Sequence, residues 1–520
     1  MQNIISEVQD FFSAGTVGAY IALGLYGLVA LLALVGALKG LTRGVCRQTI
    51  RLVTVGGAAV LSFFVCRLVF PKFVEIADGK TLGETLAALR MEGLLNFAGS
   101  YGSVLSGVDG ETAQYLSAIP ITVILLPLLF VLLFILFSGL LLIVHALLCG
   151  ALGFSSARAN PLTRLLGFAM GVVQGVLVGA LVLVPAFSLC SFTKAATADM
   201  ESDSTIRTAY TSYLEPAADS TLLDLVGKYG GNYVVDSFHT VTLGEEEVDV
   251  GTSAETLFTT VAKVIGSTSG ADWNSLTAEQ QKAIDDAIHT IGGDSYLATI
   301  TSGVLRNLSI CVTDDPSLLP TEGGATKNLL LDFIAIFRDS SADTVETDLL
   351  TLTKVYYMLS DEGVLTAVAD NDADAVITCM TATDAEGKTL TRRVTDTLEE
   401  NPRTAPLVAA MGRFTVAVMA EAMDADTDTV QLYENLKNGL KNDVLSLRPE
   451  DYADDAAYGA AVAGSLKNLL ADNGITLPQE VSDNMADYIA ENYRELLPED
   501  ATDGDIADIL LSYYAAAKAG

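Results

Sequence analysis

Hydrophobic patterning divides the chain into two regimes. In the first, long apolar runs carry no charge; in the second, apolar residues recur at helical spacing among many acids. A helix needs about 20 consecutive apolar residues to cross the hydrocarbon core of a bilayer. No charged side chain lies between Asp10 and Lys39, and residues 17–38 are predicted as a first span. The second predicted span, 52–70, carries Arg67 near its far end. At mid-bilayer an Arg costs about 2.5–3.5 kcal/mol, but near a helix end it can snorkel to the headgroups. Residues 112–157 are uncharged, and 119–148 reads as a long third span with Pro120 and Pro127 tolerated in its first turns. A fourth span is predicted at 165–189. The first run is too long for a signal-peptide core, lacks a basic leader and is followed by a basic loop, so a cleaved signal is rejected. Ahead of it, Ile4, Ile5, Val8, Phe11 and Phe12 share one helical face and Glu7 and Asp10 lie off it. Residues 1–16 therefore read as an interfacial helix, or alternatively as an extension of the first span.

Beyond residue 193 the apolar spacing is i, i+4, i+7, the mark of amphipathic helices. One stripe is Leu436, Leu440, Val444 and Leu447; others are Val481, Met485, Tyr488, Ile489 and Leu496, and Ile506, Ile509, Leu510 and Tyr513. Ser275 to Glu279 carries capping signals ahead of a helix ending near Gly292 and Gly293. A single hairpin is suggested where Val241 and Leu243 answer Val248 and Val250 across Gly244 to Glu246. Helix breaks are expected near 314–325, 370–374, 401–406 and 498–504. The expected fold class is all-α: a polytopic four-helix transmembrane bundle over 17–192, then a large, mostly helical, acidic extracytoplasmic domain over 193–520. That second segment is long enough for one large or two ordinary domains.

Charge sharpens this division. Residues 1–194 hold 11 Lys/Arg and 8 Asp/Glu, a net of +3, and the remainder holds 19 and 56, a net of −37. Such acidity argues against nucleic acid as a partner, because phosphates would be repelled. Within the membrane part, loop 39–51 contains Lys39, Arg43, Arg47 and Arg51, and loop 149–164 contains Arg158 and Arg164, neither with an acid. The positive-inside rule places both loops in the cytoplasm. Both termini, loop 71–118 and residues 193–520 are then expected outside the cell membrane.

Glycine spacing stands out inside the spans. Gly167, Gly171, Gly175 and Gly179 repeat every four residues, as do Gly36, Gly40 and Gly44. In lipid, small residues promote helix association by letting backbones approach. These stripes predict close helix packing, within one chain or between copies; a sliding or pore-lining face is the alternative.

The turn Lys39-Gly40-Leu41-Thr42-Arg43-Gly44, with Arg47 following, resembles the Arg-Gly turn of the colicin V production protein family. The run Arg164-Leu165-Leu166-Gly167-Phe168-Ala169-Met170-Gly171-Val172-Val173-Gln174-Gly175 resembles that family's pattern at the start of its last span. Gln174 stands where the pattern carries Arg, and loop 71–118 is longer than in compact members. The resemblance covers about residues 20–190. It implies a bacterial membrane protein linked to export or envelope maintenance, with no accepted enzymatic activity.

Candidate chemistry changes little. The cysteines, Cys46, Cys66, Cys149, Cys190, Cys311 and Cys379, form no CxxC pair, and His145, His239 and His289 are far apart. Gly79-Lys80-Thr81 imitates the end of a phosphate loop, but Val74 replaces its first glycine. Asp424, Asp426 and Asp428 imitate a calcium loop with Thr429 and Asn435 at the positions needing Gly and Glu. Asp370, Asp372 and Asp374 fail likewise, leaving room only for weak divalent-cation binding. No catalytic residue, cofactor or metal site is expected. The leading expectation is a non-enzymatic membrane scaffold or accessory protein whose partners are the lipid bilayer and either other proteins or copies of itself. An oligomeric pore built through the glycine faces is the first alternative, and an envelope-modifying enzyme the second.

Overall fold

The computed structural model describes residues 2–77, 108–151, 161–198, 200, 205–319, 325–370, 372–422, 429–474, 508–509, 511–512 and 515. These residues are predominantly helical, and among them the named strands form one two-stranded sheet. The chain forms two compact units, residues 1–266 with 294–300, and residues 267–293 with 301–520.

The first unit contains the long apolar helices. Helix α1 (Gln2–Ala14) ends at Gly15, whose φ of 63° breaks the path. Thr16 then caps α2 (Val17–Arg43) by accepting the Ala19 N–H. The N-terminal segment is thus a separate helix, not an extension of the first span. It is tied down by Glu7, which accepts hydrogen bonds from the Tyr26 hydroxyl at 2.9 Å and the Thr221 N–H at 3.0 Å. Gly44, at φ 76°, ends α2 and starts α3 (Val45–Ala77). A short helix α4 (Gly110–Pro120) continues through a π turn, Ile121–Leu125, into α5 (Leu126–Ala151). Then come α6 (Pro161–Val182) and α7 (Val184–Thr197). Four helices are long and apolar enough to cross a membrane: Val17–Arg43, Val45–Val74, Gly110–Leu147 and Pro161–Val182.

The π turn has a local cause. Pro127 has no N–H to give the carbonyl of Val123 four residues earlier. That carbonyl accepts instead from the Ser188 hydroxyl at 2.9 Å, satisfying a backbone group that lipid could not.

Residues 205–266 and 294–300 pack onto these helices. Phe238 stacks on Phe63 with centroids 5.6 Å apart and meets Phe130 edge-on at 6.0 Å. Tyr296 stacks on Tyr115 at 5.4 Å and donates its hydroxyl to the Tyr115 carbonyl. Arg67, flagged by sequence near a span end, donates to the Thr240 carbonyl at 3.4 Å. The change in charge at 193 therefore precedes the change in packing at 266. The hairpin is present, with Val241 opposite Val248 and Leu243 opposite Glu246. Its register differs from the expected one because Gly244, at φ 61°, and Glu245 make the turn, leaving Val250 to begin a helix.

In the second unit, Thr277 caps helix Ala278–Gly292 in a full capping box with Gln280. The core runs through helices Val345–Asp361, Leu390–Glu399, Leu407–Ala422, Thr429–Gly439 and Asp455–Asp472. Leu436, Leu440 and Val444 of the expected stripe are fully buried, although the helix loosens to a π turn after Gly439. Fully burying each such side chain contributes about 1.5–3 kcal/mol. Helices end and restart at 314/325, 369/373 and 399/407, matching three expected breaks. Break 498–504 and stripe 481–496 lie outside the described residues, as does most of stripe 506–513. A buried polar knot holds the turn at 401: Asp348 accepts from Arg403 Nε at 2.8 Å and from Asn401 Nδ2 at 3.0 Å.

Candidate functional site

The two glycine stripes meet each other. Among the described residues helices α2 and α6 form the most extensive helix pair, running antiparallel so that Gly36 opposes Gly171 and Gly40 opposes Gly167. A Cβ on Gly167 would lie 2.9 Å from the Gly44 Cα. One on Gly171 would lie 2.7 Å from the Gly36 carbonyl carbon, and one on Gly175 2.5 Å from the Ala33 Cα. Nonbonded carbons settle at about 3.5–4.0 Å, so at these positions only hydrogen fits. Gly179 ends the stripe against a side chain, with its added Cβ 3.0 Å from Val29 Cγ2. By contrast, Gly24 and Gly27 on α2 face open space. The seam is therefore a backbone-to-backbone contact within one chain.

The basic residues gather where this seam ends. Arg43 occupies the last turn of α2, where a cation complements the helix dipole. Arg47 and Arg51 lie on the first turns of α3, and Arg164 is exposed on the first turn of α6, close to the Gly167–Gly44 contact. Arg158 lies outside the described residues. Just inside this end is a cavity of about 120 Å³, bordered by Lys39, Gln48, Arg51 and Gln174 together with Gly36, Gly175 and Val178. Gln48 and Gln174 are 1% and 5% exposed. Gln48 Nε2 donates to Gln174 Oε1 at 2.5 Å, while Gln48 Oε1 has no partner among the described residues. An Arg at 174 would put a third cation beside Lys39 and Arg51, a physical reason for the amide at this position. Two cationic groups and two amides are a set of hydrogen-bond donors suited to a phosphate-sized anion.

This amide pair spans 126 residues of sequence and was missed from sequence, where Gln174 registered only as a departure from a motif. A glutamine inside each of two apolar helices was the available signal.

The remaining chemical groups stay scattered. All six cysteines are free, with Cys46 exposed and Cys149 buried. Cys149 Sγ sits 3.6 Å from His145 Nε2, one helical turn away. His239 is buried, and His289 pairs with Glu346 at 2.7 Å on the surface. Among the described residues no three His, Cys, Asp or Glu side chains converge as a metal site. Asp372 serves as a helix cap, accepting the Ala375 N–H at 3.0 Å. The stretches 79–81 and 424–428 lie outside the described residues.

No protein-family model, curated protein or solved structure matches the chain.

Proposed function

We propose that the chain is a non-enzymatic bacterial membrane scaffold or accessory protein, linked to export or envelope maintenance. In this reading its spans anchor a helical domain that engages a protein or envelope partner outside the cell membrane. The observation that carries this reading is the glycine seam. With α2 and α6 in backbone contact over three helical turns, those faces are used up inside one chain. The paired stripe is not available for copies to close a pore around, and it leaves no clearance for one helix to slide past the other. The resemblance of Lys39–Gly44 and Arg164–Gly175 to the colicin V production family supports the same class, and the basic end of the seam supports a cytoplasmic position for loop 39–51.

Chemical cross-linking in native membranes, followed by mild-detergent purification of the full chain, tests the reading. A co-purifying envelope or export protein alongside a single copy of this chain is the expected result. A ring of identical copies would instead establish the pore. Orientation is tested on single-cysteine variants of intact cells or spheroplasts: Cys46 should resist an impermeant thiol reagent until the membrane is opened.

A further inference from the structure

We propose that the second unit binds one hydrocarbon chain of an amphiphile in a half-open apolar cavity, leaving the polar head in water. The cavity measures about 370 Å³ and lies among helices Ala325–Ala335, Val345–Asp361, Val364–Ala369 and Leu407–Ala422. Phe333, Phe337, Leu352, Leu359, Met411 and Phe414 are among the residues of its wall. Helical cores hold few voids larger than a water molecule, whereas ligand sites begin at about 300 Å³. A cavity of this size therefore has the dimensions of a binding site.

Wall chemistry selects the occupant. Of the lining residues only Thr353 and Tyr356 carry side-chain polar atoms. Both hydroxyls are already donated to backbone carbonyls, Thr353 to Leu350 and Tyr356 to Trp273. Among the described residues no charged side chain lines the cavity. A polar ligand would lose its hydration here without compensation, so the part that enters must be apolar. At about 30 Å³ per methylene-sized group, roughly the share of one liquid water, the space takes on the order of a dozen carbons. That is one acyl chain and not a two-chain lipid. The wall is only partly closed, which provides a mouth for the head to remain outside. The same polypeptide carries helices long and apolar enough to cross a bilayer, so its local supply of acyl chains is high. Both leaflets of a bilayer supply acyl chains, so the cavity can be filled whichever side of the membrane the unit occupies.

Photocrosslinking of the full chain in phosphatidylcholine nanodiscs tests it. One arm adds free palmitic acid bearing a diazirine near its methyl end; the other builds a phosphatidylcholine with the same labelled chain into the disc. Mass spectrometry should find adducts on peptides spanning residues 329–337, 349–359 or 411–414. Excess unlabelled palmitate should reduce free-acid adducts several-fold. Adducts in the first arm only identify a free single-chain acid, and in the second only, a chain borrowed from a membrane lipid; either supports the site. Leu349→Trp and, independently, Val368→Phe fill the cavity and should abolish these adducts in a chain whose helical content and thermal stability are unchanged or higher. Labelling confined to the membrane helices in both arms would overturn the proposal. So would equal labelling of well-folded filled variants, or a cavity blocked by a second copy, seen as a dimer mass that those variants lose.

Discussion

Replacing Gly171 by Ala is the most direct test of the seam, because the substitution adds one carbon at a known distance from known atoms. That carbon would sit 2.7 Å from the Gly36 carbonyl carbon and 3.1 Å from the Ala37 Cα. Relief to an ordinary separation of about 3.5–4.0 Å requires the two backbones to part by roughly 1 Å. Neither helix has a flexible side chain at this point that could move aside, so the separation spreads along the seam and weakens the contacts at Gly40 and Gly175 too. Overpacking of this kind costs about 1–3 kcal/mol. At about 2–4 °C per kcal/mol for a unit of this size, the thermal midpoint in detergent should fall by about 2–12 °C. Gly27→Ala is the matched control, on the same helix pair but with open space around the added carbon. There only helix propensity changes, in favour of Ala by up to about 1 kcal/mol on scales measured in water. The two substitutions should therefore shift the midpoint in opposite directions, with the mass of the particle unchanged in both. If Gly171→Ala is as well tolerated as Gly27→Ala, the backbones do not touch there and the anchor reading loses its support.

The amide pair should behave as a coupled unit. Gln174→Leu leaves the Gln48 amide buried without its partner and should destabilise by about 1–3 kcal/mol, whereas Gln48→Leu with Gln174→Leu should recover most of that loss; additive melting shifts would refute the pairing. His239 predicts an acid-side dependence. Burial holds its imidazole below the usual 6.5, with Asp249 and Asp236 opposing weakly, so the unfolded chain takes up the proton more readily than the fold. Stability is then full above about pH 6.5 and is lost as pH falls through the depressed value. His239→Gln should flatten that limb between pH 7 and 5 in a melting series, and an unchanged slope would count against it. Fragment boundaries form a fourth prediction. A fragment starting near residue 195 uncovers Phe238, which packs on Phe63 and Phe130, and should associate or need detergent; one starting near 267 keeps the second unit's core, uncovers only the short stretch around Tyr296 that packs on Tyr115, and should be soluble and helical by sedimentation and circular dichroism.

Features that repeat along the chain were legible from sequence, and features made by two distant stretches were not. Four apolar runs located the four helices long and apolar enough to cross a membrane, and a period of four exposed both glycine stripes. Only the structure set the stripes against each other, pairing 36 with 171 and 40 with 167. The domain boundary shows the same division. Charge composition turns acidic after residue 193, but Leu223, Val226 and Phe238 are buried within the first unit. Their spacing is that of any amphipathic helix, and periodicity says that a face is buried without saying against what. Val178 carries the same lesson. One residue from the glycine stripe, it reads as an ordinary apolar position, yet it borders the polar cavity with Gln48 and Gln174, so substitutions there would disturb a site.

The acyl-sized cavity was the least legible feature of all, for a physical reason. Leu329, Phe333, Leu352 and Leu359 are apolar at helical spacing, as core residues are, and nothing in their identity distinguishes a wall from a filled interior. A void is set by the angles and separations of whole helices, quantities that packing decides after each helix has formed. The glycine seam is the opposite limit, since residue size alone dictates how closely the backbones come. One chain thus contains a contact that a single added carbon disrupts and a cavity that the added bulk of an indole is expected to fill without harm. Comparing Gly171→Ala with Leu349→Trp in the same full-length protein turns that contrast into a measurement. The smaller substitution should lower the melting temperature, and the larger should leave it unchanged or raise it. If Leu349→Trp destabilises as much as Gly171→Ala while the chain stays folded, the second unit is packed solid at that point and has no room for a hydrocarbon chain.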